Sequence, residues 1–173
     1  MEVFMTKKIT FIFGLALFLT YPIMSQVVLS ANDLDNEQVT GVKQIGDVKI
    51  LAKPDKAVTI ESMDVPRESS DGEIFNNRIK LNGSGTLESR AIMLNVTKKG
   101  QLIVYCNSSS KTDARVLVLA NAADGSIVSE GNAEPDTGTK AGICRFVVPA
   151  TGSFLIYSKS GGINIYQINQ KVE

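Results

Sequence analysis

Basic and amide side chains are the groups in this sequence best suited to hold a ligand. Guanidinium, ammonium and amide groups donate hydrogen bonds, and the charged ones pair strongly with carboxylates. Taken singly, each is an ordinary solvated residue, so they become informative only where several occur together. The candidate binding residues are Arg78, Lys80, Arg90, Asn107, Lys111, Arg115, Lys159 and Asn164.

Catalytic side chains are scarce by comparison. The 173 residues include no histidine and no tryptophan. Without histidine, Ser-His-Asp and Cys-His arrangements and imidazole metal sites are excluded. Gly83-Ser84-Gly85 matches neither the G-x-S-x-G nucleophile elbow nor a phosphate-binding glycine loop. A carboxylate pair for glycoside hydrolysis stays open, because such pairs come from distant strands. The residue types therefore favour binding over catalysis.

An acidic loop could supply ligands to a metal ion. Asp71 and Glu73 flank Gly72, and Asp64 is a third source of oxygen. Carboxylate oxygens suit calcium, so a structural calcium ion is one interpretation and an ordinary acidic loop is the other. No further cofactor is expected.

The two cysteines, Cys106 and Cys144, allow two interpretations. In an oxidising compartment they could form a disulfide, which would close a loop of about 38 residues. They could equally be two small buried residues in neighbouring strands. The sequence leaves both open.

The N-terminus has the pattern of a secretory signal peptide. Lys7 and Lys8 precede the apolar run Ile9–Leu19, and a small residue, Ser25, follows it. Charged, apolar and small residues in this order are typical of an export signal, whereas a membrane-spanning helix needs about 20 apolar residues. We therefore expect residues 1–25 to be removed and the protein to be secreted. The alternative is a buried N-terminal helix.

Removal of the leader leaves a chain with almost no net charge. The whole sequence is neutral, and loss of Lys7, Lys8 and Glu2 changes the charge to about −1. A near-neutral protein has no large field to attract nucleic acid or an anionic membrane. Neither is expected as a partner.

The mature sequence predicts one all-β domain. Residues 26–45 are polar and without a sustained period, which predicts a linker before a domain over residues 46–173. No stretch keeps the 3.6-residue period of an amphipathic helix. Runs rich in Val, Ile, Thr, Phe and Tyr, separated by turn residues, predict instead an antiparallel β-sandwich of jelly-roll type with about nine strands. The runs are Val48–Ala52, Ala57–Met63, Ile74–Leu81, Ala91–Val96, Gln101–Cys106, Val116–Ala120, Gly142–Val148, Gly152–Ser158 and Gly161–Gln170.

A repeat with an offset of 52 residues runs through the domain. Residues 91–110 (AIMLNVTKKGQLIVYCNSSS) align with residues 143–162 (ICRFVVPATGSFLIYSKSGG), so that Gly100 meets Gly152. Each copy predicts a hairpin of two strands joined by a four-residue turn, with one hairpin in each sheet. A chance likeness between two amphipathic hairpins is the alternative. If the loops that follow the copies adjoin, they form a basic rim.

Three segments of the domain resemble a known family. They are Arg78–Thr86 (RIKLNGSGT), Leu102–Leu119 (LIVYCNSSSKTDARVLVL) and Tyr157–Ile168 (YSKSGGINIYQI). Together they resemble a non-catalytic β-sandwich module that is attached to secreted bacterial pectate lyases and related polysaccharide-degrading enzymes. The likeness runs from about Asp71 to the C-terminus.

The resemblance implies binding of plant cell-wall polysaccharide without catalysis. Pectin-type chains carry a carboxylate on each galacturonate, so lysine and arginine could hold them without a tryptophan platform. We therefore expect a secreted, non-enzymatic carbohydrate-binding module for pectin-type acidic chains, with a separate polysaccharide-degrading enzyme as a further partner. Two alternatives stay open: an extracellular structural or protein-interaction module that binds no sugar, and a small polysaccharide lyase.

Overall fold

The computed structural model describes residues 25–172, and its regular secondary structure is almost entirely β. One turn of 3-10 helix, Ala31–Asp33, follows the first strand, and none of the residues described forms a helix that could cross a membrane. The strands are β1 (Ser25–Ser30), β2 (Glu37–Val39), β3 (Val42–Ile45), β4 (Val48–Leu51), β5 (Val58–Ser69), β6 (Ile74–Leu81), β7 (Ala91–Val96), β8 (Gly100–Ser108), β9 (Arg115–Asn121), β10 (Ile127–Ala133), β11 (Lys140–Val148), β12 (Gly152–Ser158) and β13 (Ile163–Val172).

The all-β prediction is confirmed, but the strand count of about nine was too low. The nine predicted runs correspond to β4–β9 and β11–β13, and the additional strands are β1, β2, β3 and β10. β2, β3 and all of β1 except Ser25 lie within residues 26–45, where the sequence predicted a linker. That segment is held because Leu29, Ala31 and Val39 are buried in the core. The predicted signal peptide, except for Ser25, lies outside the described residues.

Two sheets pack against each other. Sheet A contains β1, β2, β5, β6, β8, β11 and β13, and sheet B has the order β10-β9-β12-β7-β4-β3. Alternate residues of each strand point between the sheets, as the period of two requires. The main apolar core fills that space and includes Ile79, Leu102, Leu119, Phe146 and Ile156.

Sheet A curls until five of its strands form a closed circuit. β13 pairs with β6 and with β8, β8 pairs with β11, and β5 pairs with β6. A short parallel contact, in which Lys140 and Ala141 face Glu68 and Ser69, joins β11 to β5. Because sheet B covers one face of these strands, the other face lies inside the circuit. A second apolar cluster occupies it, formed by Phe75, Ile103, Tyr105, Ala141 and Tyr166.

The two repeat copies are not hairpins, contrary to the prediction. β7 and β12 lie in sheet B whereas β8 and β11 lie in sheet A, so each copy crosses from one sheet to the other. The copies pair with each other instead, with Val96 facing Gly152 and Gly100 facing Val148. These two pairs are equivalent, because the 52-residue offset places Val96 on Val148 and Gly100 on Gly152. Both glycines have a positive φ, 153° for Gly100 and 149° for Gly152. Glycine adopts such angles most readily, which permits the crossing.

Candidate functional site

A cleft of about 470 Å³ opens on the face of sheet A that points away from sheet B. The three segments that carry the family resemblance meet here, because Ile163–Ile165 of β13 lies between Ile79–Leu81 of β6 and Cys106–Ser108 of β8. The loops after β8 and β10 complete the walls. The lining residues are Arg67, Arg78, Lys80, Ser109, Lys111, Asp136, Thr137, Gly138 and Asn164.

A buried ion pair forms the floor of the cleft. Arg67 and Asp136 are each 8% exposed, and two parallel hydrogen bonds join them, from Nε to Oδ1 at 2.8 Å and from Nη2 to Oδ2 at 3.0 Å. Burial opposes ionisation of Asp136, but hydrogen bonds from Arg67 and from the Gly138 N–H outweigh it, and the pKa of Asp136 is lowered. The floor is therefore polar, ionised and nearly neutral overall.

Asn107 supports this floor from behind. It pairs in register with Asn164, is 3% exposed, and donates its amide to the carbonyls of Glu134 and Pro135 at 3.2 Å. Its Oδ1 accepts a hydrogen bond from the Tyr166 hydroxyl at 3.0 Å. These contacts fix the loop after β10, so Asn107 positions the cleft and does not line it.

Arg78 and Lys80 form one wall. They alternate along β6 and therefore share a face. Both lie near the Oε1 atom of Glu61 on β5, with Arg78 Nε at 2.8 Å and Lys80 Nζ at 3.6 Å. Their side chains are 23% and 35% exposed, so both cations remain within reach of a ligand.

Lys111 lies on the opposite side, in the loop between β8 and β9. It is exposed, and no carboxylate of residues 25–172 forms an ion pair with it. The neighbouring Ser109 adds an exposed hydroxyl to the lining. Lys111 is thus the cation of the cleft that is least committed to protein partners.

The other predicted binding residues are used elsewhere. The loops that follow the two repeat copies do adjoin, since the Ser109 N–H donates to the Gly162 carbonyl at 2.9 Å. Arg115 holds these loops together by donating to Ser109 Oγ and to the Gly162 carbonyl. Lys159 pairs with Glu130 at 2.8 Å outside the cleft. Arg90 packs over a glycine, Gly83, whose added Cβ would lie 2.5 Å from Nη1.

Of the eight candidates, Arg78, Lys80, Lys111 and Asn164 line the cleft. The sequence reasoning did not find Arg67, Asp136, Thr137 or Gly138. Their sequence signal is only that of a turn after Pro135 and of a position in β5. The pairing of β5 with β6 is interrupted between Ser62 and Arg67, so the alternation of side chains along the first part of β5 does not predict the side on which Arg67 lies.

The acidic loop proposed for calcium is already hydrogen-bonded. Asp71 accepts bonds from the Tyr105 hydroxyl at 2.8 Å and from Ser69, and Ser69 also bonds to the backbone of Glu73. Burial, and then the Asp71 carboxylate, raises the pKa of Tyr105 to about 12. Within residues 25–172, no group of three or more His, Cys, Asp or Glu is arranged to hold a metal ion.

The cysteines lie side by side in the core as free thiols. Cys106 and Cys144 belong to the paired strands β8 and β11, with their Sγ atoms 3.6 Å apart. In register Cys106 faces Gly142 and Cys144 faces Val104, so the cysteines are diagonal neighbours. Diagonal neighbours in a sheet are in general farther apart than the partners of a disulfide. The arrangement corresponds to the buried-thiol alternative.

Comparison with known proteins gives weak likenesses. No family model and no curated protein matches the sequence. The structure is similar to the tandem CBM51 modules of a family 98 glycoside hydrolase from Streptococcus pneumoniae (15% identity, TM-score 0.43), covering 84% of this chain and 47% of that one. It is also similar to a carbohydrate-binding module from Cellvibrio mixtus lichenase 5A in complex with cellotriose (14% identity, TM-score 0.43), covering 87% of this chain and 98% of that one.

A third similar structure is the K2 cleaved adhesin domain of Lys-gingipain, at 11% identity and a TM-score of 0.40, covering 56% of this chain and 73% of that one. Likenesses of this strength do not assign a function.

Proposed function

We propose that this protein is a secreted, non-catalytic carbohydrate-binding module that holds an acidic, pectin-type polysaccharide in the cleft. The observation that supports this is the convergence of Arg78, Lys80 and Lys111 on one cleft, together with the hydroxyls of Ser109 and Thr137. Cations with flanking hydroxyl donors match a chain that alternates carboxylates and sugar hydroxyls.

The charge of the cleft favours an acidic ligand over a neutral one. Four cations line it, and they face the carboxylates of Asp136 and, beside the wall, Glu61. Over the cleft lining and Glu61 the local excess is therefore about two positive charges, in a chain whose net charge is zero. None of the lining residues is aromatic. Charge-assisted hydrogen bonds, and not stacking on a sugar ring, would supply the affinity.

Secretion is part of the proposal because the lysine pair and apolar core at the N-terminus form an export pattern. Intact-mass analysis of protein from its native host should show that residues 1–25, or a similar length, have been removed. A product that retains Met1 in the cytosol would contradict secretion.

Calorimetry with variants tests the binding site. Lys111→Ala and Lys80→Ala should each weaken binding of oligogalacturonides about 10- to 100-fold, since a hydrogen bond to a charged group contributes about 1.5–3 kcal/mol. Lys159→Ala is the matched control, because it removes an exposed lysine outside the cleft. Binding should also weaken as salt rises, because exposed charge pairs are screened.

Neutral xylan and cellulose oligomers complete the test. Equal affinity for neutral and acidic oligomers would contradict recognition of the uronate. If no glycan binds, the structural or protein-interaction alternative is favoured. Incubation with polygalacturonate should release no unsaturated oligomers, whereas their appearance would support the lyase alternative.

A further inference from the structure

Glu61 occupies an unusual place beside the cleft. It faces Arg78 directly in the register of β5 and β6. Arg78 donates to Oε1 from Nε at 2.8 Å and from Nη2 at 2.5 Å, and Lys80 Nζ lies 3.6 Å from the same oxygen. One carboxylate oxygen thus engages both cations of the wall.

Glu61 does not line the cleft, although Arg78 and Lys80 do. Its charge therefore opposes two cleft cations from the side, without contributing a group that would contact a ligand. A carboxylate that enters the cleft must compete with Glu61 for the Arg78 donors.

The pair is not needed to neutralise a buried charge. The side chains of Arg78 and Glu61 are 23% and 32% exposed, against 10% and 9% for Arg67 and Asp136 on the floor. Water can solvate either partner if the other is removed, and ion pairs that solvent reaches contribute little to stability. The fold therefore tolerates loss of the Glu61 charge.

We propose that Glu61 is an internal competitor that limits the affinity of the cleft for acidic ligands and so sets how strongly acidic and neutral chains are distinguished. This inference rests on the proposed function, because it assigns a specificity role within the same cleft. Glu61 holds the guanidinium of Arg78 and the ammonium of Lys80 in a pairing with which a ligand carboxylate competes.

The size of the effect follows from Coulomb's law. A unit charge about 6 Å from a ligand carboxylate, at an effective dielectric constant of about 40–80, changes affinity roughly three- to tenfold. Removal of the Glu61 charge should therefore tighten binding of an acidic chain by that factor at low salt. The gain should shrink at high salt, and affinity for a neutral chain should not change.

Glu61→Gln tests this, because it removes the charge and keeps the shape. The matched control is Glu88→Gln, which removes the carboxylate partner of Lys53 away from the cleft and changes the net charge equally. Glu61→Thr, with a side chain that suits a strand, is a second variant. Each protein is titrated with an oligogalacturonide and with a neutral xylo-oligosaccharide at two salt concentrations, after its thermal unfolding is compared with that of the wild type.

The expected result is a three- to tenfold gain for the acidic oligomer in both Glu61 variants, with Glu88→Gln within about twofold of the wild type. Unchanged or weaker binding in folded Glu61 variants of a protein that does bind the acidic oligomer would overturn the inference alone. Absence of glycan binding in all proteins, including the wild type, would overturn the proposed function and the inference with it.

Discussion

The ion pair on the floor of the cleft makes a quantitative prediction about stability. Asp136→Asn keeps the shape of the side chain but leaves the Arg67 guanidinium, whose side chain is 10% exposed, without a counter-ion. Loss of one partner of a buried pair reduces the free energy of unfolding by about 3–5 kcal/mol. Glu130→Gln is the control, because the Lys159 and Glu130 side chains are 55% and 36% exposed. Loss of an exposed pair costs less than about 1 kcal/mol.

A second substitution separates the charge from the packing. Arg67→Met combined with Asp136→Asn removes both charges, and it should recover about 2–4 kcal/mol of the loss, because no uncompensated charge then remains in the core. A double-mutant cycle over wild type, Arg67→Met, Asp136→Asn and the double variant gives the coupling energy.

The stabilisation by the Arg67–Asp136 pair should decrease at acidic pH. The pKa of Asp136 is lowered in the folded state from its usual value of 3.8. The stabilisation is therefore present above about pH 4 and is lost as pH falls through the lowered pKa. The difference between wild type and Asp136→Asn should narrow in that acidic range.

Urea unfolding followed by circular dichroism is the assay. With a slope of about 2 kcal/mol per M, the unfolding midpoint of Asp136→Asn should fall by about 1.5–2.5 M relative to wild type. A shift no larger than that of Glu130→Gln would refute the reasoning, since the floor pair would then behave as an exposed one.

Three further predictions concern the scaffold. Cys106 and Cys144 should resist alkylation in the folded protein, because they are 0% and 4% exposed, and both should react in urea. If they fail to react in urea without reductant, they form a disulfide, which would contradict the free thiols of the structure. Gly85→Ala should lower the free energy of unfolding by about 1–3 kcal/mol, because the new Cβ would lie 2.5 Å from the Arg90 carbonyl oxygen and 2.6 Å from Tyr157 Cβ. Gly41→Ala, with nothing within 4 Å, should change it by less than about 0.5 kcal/mol, and equal effects would contradict the packing. Tyr105→Phe should remove the phenol ionisation near pH 12 from an ultraviolet titration and destabilise the protein by about 1–2 kcal/mol below pH 10. Because the folded pKa of Tyr105 is raised, its contribution is lost between pH 10 and 12, and an unaltered titration curve would contradict the assignment.

The strands that the sequence predicted are those whose side chains fill the core. β7, β8 and β12 contain runs of apolar residues, and β6 alternates polar and apolar residues from Arg78 to Leu81; these patterns are visible without any structure. β1, β2, β3 and β10 were missed because they are short or largely exposed. Their backbones are held by pairing with a neighbouring strand, and such pairing leaves little mark on residue type.

The repeat shows a second limit of sequence reasoning. Its residues predicted two strands and a turn in each copy, and the strands are present. A turn of this length between two apolar strands is compatible with a hairpin and with a crossing between sheets. Gly100 and Gly152 permit the crossing through their positive φ, and the sequence states only that glycine is present.

Residue type and local order by themselves determined the all-β class and the positions of the nine core strands. The family-like segments supplied the candidate cations, of which Arg78, Lys80 and Lys111 line the cleft. Tertiary structure alone decided what surrounds them. Arg67 and Asp136 are 69 residues apart in sequence, and the closure of sheet A through the contact of β5 with β11 accompanies their pairing. Contacts between distant segments, and not neighbours along the chain, set which cations line the cleft and which fasten loops.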